Sequence, residues 1–311
     1  MKVKKIALFI ELWICMIASV CCSAQGKEER EEKKYVIGVL TKSRDSEYWL
    51  SVNSGMEKAA YDRGVELIIL SPDSEKNSKL QERMFEDLLK KGVDAIAIAP
   101  INSKKGEKMA KKAKEAGVSL VSYDTPFSDS KIPYIGIDHK KVGYELGILL
   151  GESLHGTGEV AVIAGSMKQK NHQLRLEGFL DAMKQYENIT VATVKTGYSN
   201  LQVSEQELQK LKEQFPAMNG IMTTSAVTAM GIVEAMAGEE IKIVSVDAQE
   251  DARKAVADGK IEALAAQSGY EIGYETIQYL VNEHEGKVQE KQKILQTDII
   301  TRETKEFPFK K

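Results

Sequence analysis

From Tyr35 onward the chain alternates short apolar runs with longer segments in which apolar residues recur at helical spacing. YVIGVL, VELIIL, DAIAIAP and VSLVSY have the length of strands, and their near-continuous hydrophobicity predicts strands covered on both faces. Between them lie amphipathic stretches with helix punctuation. SEYWLSVNSGMEKAAYDRG ends at Gly64, and NSKLQERMFEDLLKKG opens at Asn77 or Ser78 and ends at Gly92. SKKGEKMAKKAKEAG forms a third helix, polar on its outer side. The second half repeats the scheme. Strands EVAVIAG, ITVATVKT, GIMTTS, KIVSVD and KIEALAAQ alternate with helical segments, including SEQELQKLKEQF with a capping box at Ser204 and Glu207. The last long helix is GYEIGYETIQYLVNEHEG, and KILQTDIITRE is one further strand candidate. Such alternation implies parallel βαβ units with right-handed crossovers, arranged as two α/β lobes of similar order.

The stretch Gly117–Gly143 organises this pattern. Its two apolar runs each close on an aspartate, Asp124 and Asp138, and the same signature ends KIVSVD at Asp247 and IEALAAQ at Gln267. In open parallel sheets ligands gather beyond the carboxyl ends of the strands. One such residue reads equally well as a helix N-cap; polar heads on four strand ends point to one pocket.

Composition adds bounds. The 311 residues exceed one typical core and suit two domains. A net charge of −3 without a long basic run argues against nucleic acid as a partner. Met1–Lys5 carries three lysines, an apolar segment interrupted by Glu11 follows, and small residues surround Cys21 and Cys22. This is the layout of a secretory signal, residues 1–24, followed by a charged linker, residues 25–34, and it places the protein outside the cytoplasm. All three cysteines fall in this leader, so no disulfide is expected in the body. Cys21 or Cys22 resembles the lipidated cysteine of a bacterial lipoprotein, with a plainly cleaved signal as the alternative.

The order of IGVL, an aromatic-bearing loop with GMEKAA, GVDAIAIAP, VSYDT, IGIDHKKVGYELG, RLEGF, KIVSVDAQ and AAQSGYEIG resembles the type I periplasmic sugar-binding proteins, substrate-binding components of ABC transporters. The resemblance covers roughly Tyr35 to Thr301. It implies two Rossmann-like lobes with parallel sheets joined by three crossing strands. The N-terminal lobe would be 35–137 plus 268–297, and the C-terminal lobe 138–267 plus 298–311. It implies a small sugar or polyol bound in the cleft, lobe closure by hinge motion, and a membrane permease or a membrane sensor as partner.

Residue by residue, Asp124 matches the family's strand-end acid, and Thr125 stands where an arginine is frequent. Tyr48 and Trp49 match an aromatic pair that stacks on sugar faces. Ser46 and Ser225 stand where asparagine is common. Arg175 matches an inward arginine, Tyr198 an aromatic closing the pocket floor, and Asp247 and Gln267 the acid and amide at strand ends. Asp138 is hinge as much as ligand contact, and Asn171 and Gln173 are weaker candidates.

No enzyme is expected. The chain has no G-x-G-x-x-G after its first strand, no Walker loop and no nucleophile elbow. His139, His155, His172 and His284 show no metal-ligand spacing, and no cofactor or metal is called for. Asp124 and Asp247 could form a glycosidase pair, but nothing favours cleavage over hydrogen bonding to an intact sugar. Sugar-responsive repressors share the two-lobe core, but here a secretion signal occupies the place of their DNA-binding segment.

Overall fold

The computed structural model describes residues 34–309 apart from positions 45, 129, 130, 237 and 239. The leader, Cys21 and Cys22, linker residues 25–33 and the last two residues lie outside the described residues.

Two six-stranded sheets share one strand order. The first runs β11-β5-β4-β3-β1-β2, built from β1 (Val36–Leu40), β2 (Glu66–Leu70), β3 (Ala95–Ile98), β4 (Ser119–Tyr123), β5 (Tyr134–Gly136) and β11 (Gln292–Ile294), all parallel. The second runs β12-β10-β9-β8-β6-β7, from β6 (Thr157–Ala164), β7 (Asn188–Thr196), β8 (Met218–Thr223), β9 (Lys242–Val246), β10 (Ala263–Gln267) and β12 (Thr297–Thr301). Only β12 is antiparallel, paired with β10. The tail strand candidate is therefore two strands, one in each sheet. The chain crosses at Gln296, slightly earlier than expected, because Thr297 already pairs with Gln267. The other crossings follow β5 and β10.

In the first lobe α1 (Glu47–Arg63), α2 (Ser78–Lys91), α3 (Gly106–Glu115) and α9 (Gly269–His284) cover the sheet. In the second lie α4 (His139–Ser153), α5 (Lys170–Met183), α6 (Leu201–Gln214), α7 (Ala226–Ala235) and α8 (Glu250–Ala257). Both sheet faces are dry, as the apolar runs predict. Along β6, Val160 and Val162 pack with Leu146 and Phe179, whereas Ala161 and Ile163 pack with Leu208 and Ile232. In the other lobe Leu40, Ile96 and Ile98 meet Phe85, Leu88 and Met109.

Each lobe also holds helix pairs at backbone contact. A Cβ on Gly143 of α4 would lie 1.9 Å from the Arg175 carbonyl, and one on Gly178 of α5 would lie 1.9 Å from the Lys140 carbonyl. Gly55 and Gly273 do the same for α1 and α9. Only glycine permits this approach, and it fixes the helix that carries Arg175.

Capping differs between the lobes. Ser46, Asn77 and Ser268 cap α1, α2 and α9 from their own lobe. Asn200 caps α6, so the expected Ser204–Glu207 box is not the start of that helix. Ser204 lies a turn further in, buried, with its hydroxyl donating to the Asn200 carbonyl. The N-cap residues of α5 and α8, Gln169 and Gln249, form no side-chain cap bond. Their first N–H groups are instead accepted by the opposite lobe. Ser103 Oγ takes the Lys170 N–H at 2.9 Å, and Glu47 Oε2 takes the Glu250 N–H at 3.0 Å.

Candidate functional site

Both lobes point the carboxyl ends of their strands into a cleft. Between them lies a cavity of about 220 Å³, below the ~300–1,000 Å³ typical of drug-sized ligands. It is lined by Ser46, Tyr48, Trp49, Asp124, Arg175, Tyr198, Ser225, Asp247 and Gln267, and by the weaker candidate Asn171. Two expected contacts are not in the lining. Asp138 is exposed at the start of α4, where its carboxylate accepts from the Lys141 N–H, so capping rather than ligand contact occupies it. Thr125 is fully buried behind Asp124 and donates to its Oδ2 at 2.8 Å. Gln173 also stays out of the lining, donating to the Met167 carbonyl.

The strand-end acids share a backbone device. Asp124 and Asp247 follow β4 and β9 with φ of 57° and 75°, a left-handed conformation that aspartate tolerates better than most residues. Each keeps a ladder bond through its N–H, to Ile135 O and Ala265 O respectively, so the chain turns only after its strand is complete.

Their surroundings differ. Asp124 is internally engaged. Lys42, just beyond β1 and 2% exposed, places Nζ 2.7 Å from Oδ2 and 2.6 Å from Thr125 Oγ1. Tyr48 donates to Oδ1 at 2.8 Å. Burial opposes ionisation of this carboxyl, but the charge and hydrogen bond of Lys42 outweigh it and hold it well below the usual carboxylate range. Beneath it, His139 donates Nε2–H to the Asp124 carbonyl at 2.7 Å, and burial followed by the charge of Arg175 pushes its pKa down to about 3. Trp49 is largely core, edge-on to Tyr48 and Tyr123 at ring-centroid distances of 5.2 and 6.3 Å, yet it also reaches the lining.

The second lobe's groups are less engaged. Asp247 accepts one bond, from Gln267 Nε2 at 2.7 Å, and burial raises its pKa. Gln267 Oε1 has no partner among the described residues, nor do Nε and Nη2 of Arg175, whose Nη1 donates to the Thr224 carbonyl. His172, bonded through Nδ1 to the Thr224 hydroxyl, is neutral, its pKa driven well below normal by burial and then by Arg175. Ser225 bonds Thr228 and Ser199. Tyr198 is 42% exposed with Lys76 Nζ 4.9 Å over its ring, so it borders the opening rather than the floor. Near the rim Gln169 donates to Glu75 across the lobes, and Ser103 donates its N–H to the Lys168 carbonyl. Burial raises the Glu75 pKa.

The sequence reading missed Lys42, Glu75 and His172. Extending the strand-end rule to β1 and β2 would have flagged the first two, since TKS and SPDSE follow those strands directly. Among the described residues no group of three His, Asp or Glu could hold a metal.

The arrangement matches known proteins. The periplasmic binding protein domain model covers residues 37–287. The chain is 24% identical over 278 residues to the ribose import binding protein of Bacillus subtilis, spanning 86% of this chain and 90% of that one. Its fold superposes on GanP, a glucose-galactose binding protein from Geobacillus stearothermophilus, with a TM-score of 0.84 at 23% identity over 89% and 100% of the two chains. It also superposes on the XylFII-LytSN complex, with a TM-score of 0.78 at 23% identity over 86% and 98%. With a family model spanning most of its length and the same doubly lobed α/β architecture, the chain belongs to the periplasmic binding protein family and has the type I fold.

Proposed function

We propose that the protein reversibly captures a monosaccharide or related small polyol in the interlobe cleft and delivers it, unaltered, to the permease of an ABC importer. The observation that carries this is the cavity itself. It combines unpartnered donors on Arg175, an unpartnered acceptor on Gln267, a second oxygen on Asp247 and the aromatic side chains of Tyr48 and Trp49. Hydroxyls donate and accept at once, so a polyhydroxylated ring answers that mixture, and an aromatic wall covers its apolar face. The ribose and glucose-galactose binders among its relatives support the same ligand class. Micromolar binding corresponds to about −8 kcal/mol, within reach of a few charge-assisted bonds.

A sensing role is the second reading, favoured by the XylFII-LytSN complex, in which a protein of this fold is joined to another. Both readings set the protein outside the cytoplasmic membrane, tethered by lipid on Cys21 or Cys22; labelled fatty acid should be incorporated by wild type and not by a double Cys→Ser variant. A thermal-shift screen of pentoses, hexoses, polyols and nucleosides tests the main reading. A ligand at one hundred times its Kd adds about 2.7 kcal/mol of stability, so a clear upshift with one sugar class is expected. No shift with any of them, or product formed during incubation, would reject it.

A further inference from the structure

The cleft carries more negative than positive charge. Three carboxylates, Asp124, Asp247 and Glu75, line its interior with two buried cations, Lys42 and Arg175. His139 and His172 are neutral and leave that balance unchanged. At the rim the exposed Asp73 and Lys76 offset each other in solvent. Lys42 sits directly on Asp124. Burial works against ionisation of Asp247 and Glu75 alike; on Asp247 it is opposed chiefly by the charge of Arg175, on Glu75 by Lys42, which is already paired. Glu75 is thus the carboxylate without a cation of its own. A charge withdrawn from water is costly unless it is paired and hydrogen-bonded.

Its bonding is open as well. Glu75 lies on the loop between β2 and α2, half-buried at the cavity wall. Oε2 accepts from a neutral donor of the opposite lobe, Gln169 Nε2, at 2.9 Å, and Oε1 accepts no bond from the described residues. On the other wall Gln267, 8% exposed, holds a second open acceptor in Oε1, and Asp247 has one oxygen to spare. The cavity therefore asks for donors at both walls. A primary ammonium brings three donors and one positive charge. A hydroxyl could satisfy Glu75 Oε1 but would leave its charge as it was.

We propose that the ligand is an amino sugar, a monosaccharide with a primary amine, whose ammonium docks on Glu75 Oε1. Its hydroxyls then donate to Gln267 Oε1 and to the free oxygen of Asp247. Arg175 repels an ammonium from the second wall, which turns the amine toward Glu75 and fixes the ligand's orientation. This assignment rests on the cleft being a sugar site and narrows its ligand class.

Calorimetric titration of the mature protein near neutral pH tests it with matched sets: D-glucose, D-glucosamine and N-acetyl-D-glucosamine, and the corresponding galactose and mannose sets. The N-acetyl members keep a substituent on the same carbon without the charge. At least one amino sugar should bind about ten-fold or more tightly than both its neutral counterparts, the difference between a charged and a neutral hydrogen bond. Glu75→Gln should erase that preference, whereas Glu75→Asp, which keeps the charge on a shorter arm, should retain part of it. Should Glu75→Gln not fold, the wild-type sets decide alone. A preference that survives intact in a folded Glu75→Gln variant would overturn the assignment to Glu75. If no amino sugar binds, or each neutral parent binds as tightly as its amine, the amino-sugar assignment falls and the sugar-binding reading stands on the thermal-shift screen. If neither these sets nor that screen yields a ligand, both fall.

Discussion

The two walls of the cleft are built alike and behave differently. Each presents an aspartate in left-handed conformation one residue past a central strand. On the first wall that aspartate is saturated from within by Lys42, Thr125 and Tyr48. On the second, Asp247, Gln267 and Arg175 keep bonding capacity to spare. The same local device thus serves two ends: the first wall is a prebuilt, self-satisfied surface, and the second holds the groups that need a guest. Stability and recognition should separate along this line.

The largest effect is expected at the first wall and should fall on stability. Asp124→Ala strands Lys42 in the interior, and breaking a buried pair costs about 3–5 kcal/mol. Denaturant unfolding should show that loss, and the double variant Lys42→Met with Asp124→Asn, which suits the left-handed conformation and keeps an acceptor for Tyr48, should recover most of it. Equal destabilisation by the double and single variants would mean the pair is not the reason.

Acid should act beneath the same wall through His139, with His172 on the second wall adding in the same direction. His139 is neutral when folded, with a pKa of about 3 against 6.5 for the free side chain. Between those values the unfolded chain binds the proton and the folded one does not, so stability rises with pH through this window. It is fully present above about pH 6.5 and is lost as pH falls toward 3. The whole span is worth on the order of 5 kcal/mol. Urea midpoints should therefore fall steadily with acidification, and His139→Asn should flatten that dependence. An unchanged slope in the variant would assign the acid sensitivity to other groups.

At the second wall the change should appear in binding. Asp247→Ala removes an acceptor that a ligand hydroxyl needs, and affinity for the best sugar should fall a hundred-fold or more, about 2.7 kcal/mol. Its unliganded melting temperature should stay close to wild type. A large drop in that temperature with intact affinity would reverse the contrast between the walls.

The smallest effect belongs to the caps that cross the cleft. Ser103→Ala deletes the acceptor for the first N–H of α5, a loss of about 1 kcal/mol by analogy with ordinary N-caps. Because the bond joins the lobes, the loss should favour the open form about five-fold, readable as a longer interlobe distance between fluorescent labels. The expected site is unaffected by this change, so ligand should restore the short distance.

Much of this was legible in the chain. Apolar runs gave both sheets, since strands buried on two faces need no alternation, and the strand-end rule pointed to Asp124, Asp247 and Gln267, which line the cavity. Partnership was not legible. Lys42 meets Asp124 only because β1 and β4 flank β3 in the same sheet, an adjacency that spacing along the chain does not encode. The same limit explains Asp138, which shares the strand-end pattern but faces solvent as a cap. It also explains the caps of α5 and α8, which the chain supplies from the other lobe.

The decisive measurement is a crystal structure of the protein with the tightest-binding sugar from the screen. The account predicts the ligand between the lobes, bonded to Asp247, Gln267 and the Nε–Nη2 edge of Arg175, with Lys42 still on Asp124. A ligand seated outside the cleft, or one that displaces Lys42 and takes both oxygens of Asp124 while leaving Arg175 untouched, would contradict it.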